Sequence, residues 1–410
     1  MKNTVISAAD ILLPPYSADD KSWGAYAVIA CDQFTSEPDY WENAQKIVGD
    51  KLSTLGLVLP EAFLETEKEE GHKALVAENM RSIEEKLVLH KNCLIYVERT
   101  LPDGRVRRGL VGKLDLHEYD FSPDSSSAVR ATEETVISRI PPRVAVRSKA
   151  CIELPHVMVF ANDEKKQLIE SLCEKVSEDD LIYSFDLMLG GGSIRAYKIE
   201  GELLCDTQKK IFEYESSVTD GLIYAMGDGN HSLASAKAHY ENIKKEWPEA
   251  AEDHPARYAL VEVVNLYDDA IEFEPIYRIL TNCDPDDFFG YVESRMQESA
   301  QMRTVVAVIG DTEKNIEIPA LHALTVGSLQ ILIDDYLKIN PFVACDYIHG
   351  VESLKTLSKE KGTVGFLFEG VEKNELFSYV ADNGTLPRKT FSMGEAVSKR
   401  YYIEARKITK

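Results

Sequence analysis

One short stretch constrains this chain more than any other. Residues 222–226 (Leu-Ile-Tyr-Ala-Met) are an apolar run that reads as a strand, and it enters Gly227-Asp228-Gly229-Asn230-His231. Residues 232–245 read as a helix, because Leu233, Ala236, Tyr240 and Ile243 recur at helical spacing. Two glycines in a sharp turn let the backbone approach a ligand closely. The following helix offers unpaired N–H groups and the positive end of its dipole, so an anion is stabilised there without a cationic side chain. Asp228, Asn230, His231 and Ser232 add a carboxylate, an amide, an imidazole and a hydroxyl to the same turn. Asp228 could bind Mg²⁺ or act as a base, and His231 could act as an acid/base or contact phosphate. Asp228 and Asn230 would equally serve to shape the turn and cap the helix. His beside Asp at a strand-to-helix switch favours the ligand site, by the pocket logic of α/β sheets.

Other candidates are less specific. Gly190-Gly191-Gly192-Ser193, between two strand-like runs, permits a backbone nest for a phosphate or carboxylate. It lacks the Lys and the order of a P-loop, and a hairpin turn explains it equally well. Arg139-Ile140-Pro141-Pro142-Arg143 could present Arg143 to an anion, or be an extended linker with solvated charges. Arg278 and Arg388 are similar lone cations, which would matter in so acidic a chain if they gathered at one cleft. Cys31 beside Asp32 follows an apolar run with no His nearby and reads as an inert thiol. His231 and His239 are not at the i, i+4 spacing of a helical metal pair, so zinc is not expected, while a transient Mg²⁺ site on Asp228 stays open.

The chain reads as three blocks, 1–150, 151–277 and 278–410. In the first, residues 26–30 read as a strand, a helix starts near Pro38, 61–89 look helical, and 92–99 and 106–114 form a hairpin. The second holds a short strand at 157–160, an amphipathic helix at 163–176, strands at 181–186 and 194–199, the Asp228 turn and a strand at 258–266. The third holds strands at 304–309 and 363–368 and a helix at 326–337. Strands and helices mix without strict alternation, which predicts an α+β (mixed α/β) fold with mixed sheets.

Charge and cysteines exclude several roles. The net charge of −23 repels phosphate backbones and anionic headgroups, so neither nucleic acid nor a membrane is an expected partner. Seven scattered cysteines with no CxxC pair fit a reducing compartment better than a disulfide framework. The sequence MKNTVISAADILLPPY lacks the layout of a signal peptide, and no apolar run approaches a membrane span of about 20 residues. A cytoplasmic location follows as the expectation.

The turn at 226–232 resembles the Asp-Gly-His-His-Arg hallmark of a conserved bacterial and archaeal family, the domain-of-unknown-function family numbered 1015. Residues 28–34 (Val-Ile-Ala-Cys-Asp-Gln-Phe), 139–143, 185–193 and 386–390 (Leu-Pro-Arg-Lys-Thr) resemble its clostridial branch, so the likeness spans nearly the whole chain. The turn is also similar to the Gly-x-His-Arg segment of the ParB/sulfiredoxin superfamily, which includes nucleotide-binding partition proteins and free-serine kinases. That resemblance implies a strand–turn–helix core in which the segment holds nucleotide phosphates. Asp228, Gly229 and His231 match the kinase-like form, whereas Asn230 stands for the first His and Ser232 for the Arg. Loss of that Arg removes a bidentate phosphate donor and leaves Arg143, Arg278 or Arg388 to supply the charge. The first functional reading is a nucleotide-dependent phosphotransferase acting on a small hydroxyl metabolite such as a hydroxy amino acid. Asp228 would be base or Mg²⁺ ligand, His231 would stabilise the transferring group, and Gly229, Asn230, Ser232 and Gly190 to Ser193 would receive phosphate oxygens. Mg²⁺ and ATP or ADP are the expected cofactors, without zinc or haem; a homo-oligomer stays open. The alternatives are a nucleotide or metabolite sensor without turnover and a Mg²⁺-dependent phosphatase. A Ser232–His231 dyad is disfavoured, because adjacent helix positions do not face each other.

Overall fold

The computed structural model describes residues 4–35, 37–63, 69–219 and 221–410, leaving aside the side chains of residues 63, 69–74 and 250. Alternation along the strand Val88–Thr100 sets its main sheet: Leu94 and Tyr96 enter one core, while Cys93, Ile95 and Val97 enter another. That period of two is what a sheet covered on both faces demands.

The sheet runs in the order Leu181–Asp186, Ser193–Ile199, Val88–Thr100, Val106–Asp115, Tyr258–Asn265, Met158–Ala161, Tyr224–Asp228, Val129–Arg130, Tyr119–Asp120. Its first four junctions are antiparallel. Tyr258–Asn265 then runs parallel to Met158–Ala161, which is antiparallel to Tyr224–Asp228, and the last two junctions are parallel. Helices Gly201–Ser217 and Asn230–Glu246 cover one face, burying Leu204, Ile211, Leu233, Ala236 and Tyr240 with it. Trp23, Tyr26, Trp41, Tyr183 and Tyr401 fill the other. The fold is α+β, as the mixture of elements predicts.

Residues 1–271 and 395–410 form one compact unit and residues 272–394 a second. This division cuts across the three sequence blocks, because strands from 1–150 and 151–277 interleave in one sheet. The second unit is an antiparallel sheet in the order Thr312–Pro319, Met302–Ile309, Thr363–Leu367, Phe273–Thr281, Ala344–His349, with Phe391–Met393 beside Phe273–Thr281. Helices Pro285–Arg295 and Thr325–Ile339 supply its core with Phe288, Val292, Leu329, Leu332, Ile333 and Tyr336.

Four local readings are corrected. Residues 163–176 are not an amphipathic helix but turns with a single 3-10 turn at Glu170–Leu172. The Asp163 carboxylate accepts from the Gln167 and Leu168 N–H groups, and Lys166 takes a left-handed φ of 54°, which breaks a helical path. The segment from Arg139 to Arg143 is not an extended linker: helix Ile140–Arg147 begins there, with proline in its first turn, where a missing N–H costs nothing. In 26–30 only Val28–Ile29 is strand, since Trp23–Tyr26 closes a helical turn. The charged stretch read as helix over 61–89 is helical over Glu69–Glu84, and residues 64–68 lie outside the described ones. Helix Gly201–Ser217 has no counterpart in the sequence reading. Among the described residues, no helix is long and apolar enough to cross a membrane.

Candidate functional site

The strand Tyr224–Asp228 ends in a register shift opposite Met158, and the chain turns at Gly229 into the helix Asn230–Glu246. Gly229 has φ +78°, and a Cβ there would stand 2.9 Å from the Val157 Cα, so only glycine fits without displacing backbone. Asp228 is therefore delivered at the strand end by two local constraints, a bulge and a left-handed residue.

The Asp228 Oδ1 accepts from the Gly229 N–H at 2.8 Å. Its Oδ2 is buried, and no hydrogen-bond donor among the described residues reaches it. The Lys399 Nζ stands 3.4 Å from that oxygen, with side chains 12% and 16% exposed for Lys399 and Asp228. Charge attraction holds this pair, because a charge-assisted hydrogen bond would be closer to 2.8 Å. The Asn230 amide donates to the Glu133 carbonyl at 3.1 Å and the Thr135 hydroxyl at 3.0 Å, and its own buried oxygen meets no donor among the described residues. The His231 Nε2 accepts from the Val136 N–H at 3.2 Å, which puts the ring proton of the neutral form on Nδ1. Asn230 and His231 thus both lean on residues 133–136. Ser232 is partly exposed on the first helical turn.

A second group gathers around Asp32, with Lys399 linking it electrostatically to the first. Burial pushes the Asp32 carboxyl up, but His156, the Gln33 amide and Lys399 together hold it below the usual carboxylate range. The His156 Nε2 lies 3.7 Å from the Asp32 Oδ2, and its Nδ1 is 2.9 Å from the Tyr402 hydroxyl. That hydroxyl donates to the Cys31 Sγ at 3.2 Å. Burial, reinforced by Asp32, pushes the Cys31 thiol up to about 12, so it is inert at neutral pH.

The segment bearing Lys399 is pinned on both sides. Arg99 donates to the Val397 carbonyl at 3.2 Å and Arg107 to the Ser398 carbonyl at 3.0 Å. Arg400 bonds Glu262 at 2.6 Å and Glu404 at 2.7 Å, and Tyr401–Tyr402 pairs with Val28–Ile29. Burial and Arg107 lower the Arg99 guanidinium to about 10.

The other sequence candidates divide. Arg143 pairs with Glu61 and donates to the Arg139 carbonyl at 3.1 Å, with its charge reaching Cys31. The Gly190 to Gly192 turn packs on Tyr401: a Cβ at Gly191 would meet the Tyr401 hydroxyl at 2.3 Å, and one at Gly192 the Thr100 carbonyl at 2.2 Å. Ser193 opens the strand beside Thr100. Arg278 and Arg388 belong to the second unit. There the fully buried Arg278 donates to the Gln330 side chain and to the carbonyls of Ile276, Arg388 and Lys389, and it stacks on Tyr347 at 4.6 Å. That is the bonding of a structural clamp.

Sequence reasoning missed Lys399 and His156 and gave Asp32 no role. Only Asp32 carried a signal, as part of the residues 28–34 that resemble the family; nothing local marks Lys399. Among the described residues, no group of three or more His, Cys, Asp or Glu could hold a metal ion by itself. Asp228 fits Mg²⁺ only as a single carboxylate toward an ion that arrives with phosphate ligands.

No curated protein matches this sequence. Among solved structures, a free serine kinase mutant in complex with ADP is 10% identical, with a TM-score of 0.39 over 74% of this chain and 93% of that one. A conserved hypothetical protein from Pyrococcus furiosus is 11% identical, with a TM-score of 0.34 over 72% of this chain and 94% of that one. SbnI with a C-terminal truncation, from Staphylococcus aureus, is 10% identical, with a TM-score of 0.37 over 71% and 85%. The profile of the family described as "Protein of unknown function (DUF1015)" matches residues 14–383, and the chain belongs to that family.

Proposed function

We propose that this chain is a phosphotransferase that moves a phosphoryl group from a nucleotide to the hydroxyl of a small metabolite, such as a hydroxy amino acid. The observation that carries the reading is Asp228: a carboxylate with one oxygen that no hydrogen-bond donor among the described residues reaches, beside a cation, at the mouth of the helix Asn230–Glu246. Phosphoryl transfer asks for positioning and charge neutralisation more than for covalent chemistry. In the step proposed, the acceptor oxygen bonds to the terminal phosphorus as the bond to the leaving nucleotide breaks, and the hydroxyl proton passes to Asp228. The helix N–H groups would receive phosphate oxygens. Mg²⁺ bound through the nucleotide phosphates would neutralise their charge, leaving the open Asp228 oxygen to act as the base. On this reading the protein works in the cytoplasm on small molecules, with neither nucleic acid nor membrane as partner, and is distantly related to the ParB/sulfiredoxin superfamily. A sensor without turnover is the second reading; it is favoured by His231, whose Nε2 is occupied by a backbone N–H.

The test is phosphorus NMR on the full chain with Mg²⁺ and ATP, ADP or CTP, with and without a pool of hydroxy amino acids. A new phosphomonoester that needs both the acceptor and Asp228, and vanishes in Asp228→Asn, supports transfer. Nucleotide protection against heat without product supports the sensor. Neither turnover nor protection overturns both readings and turns attention to phosphorylated metabolites as phosphatase substrates.

A further inference from the structure

Among the described residues, the side chain of Lys399 makes one ion pair, with Asp228, and no hydrogen bond. Its ammonium sits 3.4 Å from the donorless oxygen of Asp228 and within electrostatic reach of Asp32. Of the buried cations around it, Arg400 is paired with Glu262 and Glu404, while Arg99 and Arg107 each bind a backbone carbonyl, of Val397 and Ser398. Those same bonds fix the backbone on both sides of residue 399, and the Ala30 N–H donates to the Arg400 carbonyl at 3.0 Å. The side chain of Lys399 is thus a flexible four-carbon arm on a rigid base, with a compact charge that can exchange one anionic partner for another.

We infer that Lys399 is the anion-receiving residue of this site: its ammonium moves from Asp228 to a phosphate oxygen of the bound ligand, and the move uncovers the Asp228 oxygen that accepts the proton. The inference rests on the proposed phosphoryl chemistry and names the residue that couples binding to it. It predicts opposite effects from the two members of one ion pair, which a structural salt bridge does not. Removing the ammonium takes away a ligand contact; removing the carboxylate charge releases the ammonium to the ligand.

The experiment measures ADP binding in the presence of Mg²⁺ by calorimetry, and thermal protection by ADP and by inorganic pyrophosphate. It uses wild type, Lys399→Met, Lys399→Gln, Lys399→Arg and Asp228→Asn. Loss of the charge in Lys399→Met or Lys399→Gln is expected to weaken ADP by about tenfold or more, the usual worth of a charged hydrogen bond. Lys399→Arg restores binding, and Asp228→Asn binds ADP at least as tightly as wild type while losing turnover. Lys399→Met or Lys399→Gln binding ADP like wild type overturns the inference and leaves the phosphotransferase reading standing. Equal weakening by Asp228→Asn overturns it too, by exposing a merely structural pair. Should wild type ignore nucleotides yet gain protection from pyrophosphate through Lys399, the inference stands and the nucleotide reading falls. Absence of protection by either probe overturns both.

Discussion

Gly229 and Gly190 offer a controlled comparison, because their backbones are alike and their surroundings are not. Both sit in the left-handed region, at φ +78° and +79°. A Cβ on Gly190 would meet nothing within 4 Å, whereas one on Gly229 would stand 2.9 Å from the Val157 Cα and 3.3 Å from its nitrogen. Alanine at Gly190 should therefore cost only the left-handed penalty, about 1–2 kcal/mol. Alanine at Gly229 carries that penalty plus overpacking against backbone that cannot rotate away, about 1–3 kcal/mol more, for a total of about 2–5 kcal/mol. Against a typical stability of about 5–15 kcal/mol, the second substitution is severe and the first is tolerable. The assay is urea unfolding followed by tryptophan fluorescence. Trp23, Trp41 and Trp247 are the chain's three tryptophans, and all lie in the unit that contains both glycines, so the signal reports that unit alone. Equal losses for the two variants, or a smaller loss at Gly229, would refute the claim that Val157 forces glycine at the turn.

Arg400→Met strands the buried carboxylates of Glu262 and Glu404, and should cost about 3–5 kcal/mol in the same assay; a loss below about 1 kcal/mol would mean the network is not what holds residues 397–402. Burial, with Arg147 and His254 adding to it, lowers His239 to about 4. The unfolded chain then binds a proton that the folded one refuses, so stability falls as pH drops from about 6.5 toward 4, by about 1–2 kcal/mol after allowing for partial exposure. His239→Gln should flatten that part of the pH profile, and an NMR titration of His239 with a midpoint near 6.5 would contradict it. At pH 8, iodoacetamide should label the exposed Cys173 and Cys205 and spare Cys31, as read by peptide mass spectrometry; rapid labelling of Cys31 would show its thiol to be ionisable after all.

What could be read from the sequence was local. The strand–turn–helix at Asp228 announces itself because every constraint lies within one continuous segment, residues 222–243: an apolar run, a turn requiring glycine, and a stripe of Leu233, Ala236, Tyr240 and Ile243, all buried as expected. The hairpin through Leu101-Pro102-Asp103-Gly104 was legible for the same reason, and the Gly104 N–H does close it on the Leu101 carbonyl. Residues 163–176 deceive because Leu168, Ile169 and Leu172 are buried at spacings that also suit a helix, while the Asp163 carboxylate takes the first N–H groups for itself. Lys399 was invisible. It reaches Asp228 only because Tyr401–Tyr402 pairs with Val28–Ile29 and because two arginines bind the carbonyls before it. Neither contact leaves a pattern in a window of neighbouring residues.

The way the chain leaves the first unit at residue 271 and rejoins it at 395 bears on how the protein is made. During synthesis the strand Val28–Ile29 must wait, unpaired, until residues 272–394 have emerged and Tyr401–Tyr402 follows. Val28–Ile29 and Tyr401–Tyr402 form a two-stranded sheet of their own, so the seam left open through that interval is this one pair. Closing the seam is the same event that brings Lys399 to Asp228. A chain clipped before residue 399 therefore holds every residue of the Asp228 turn and lacks the ammonium beside it.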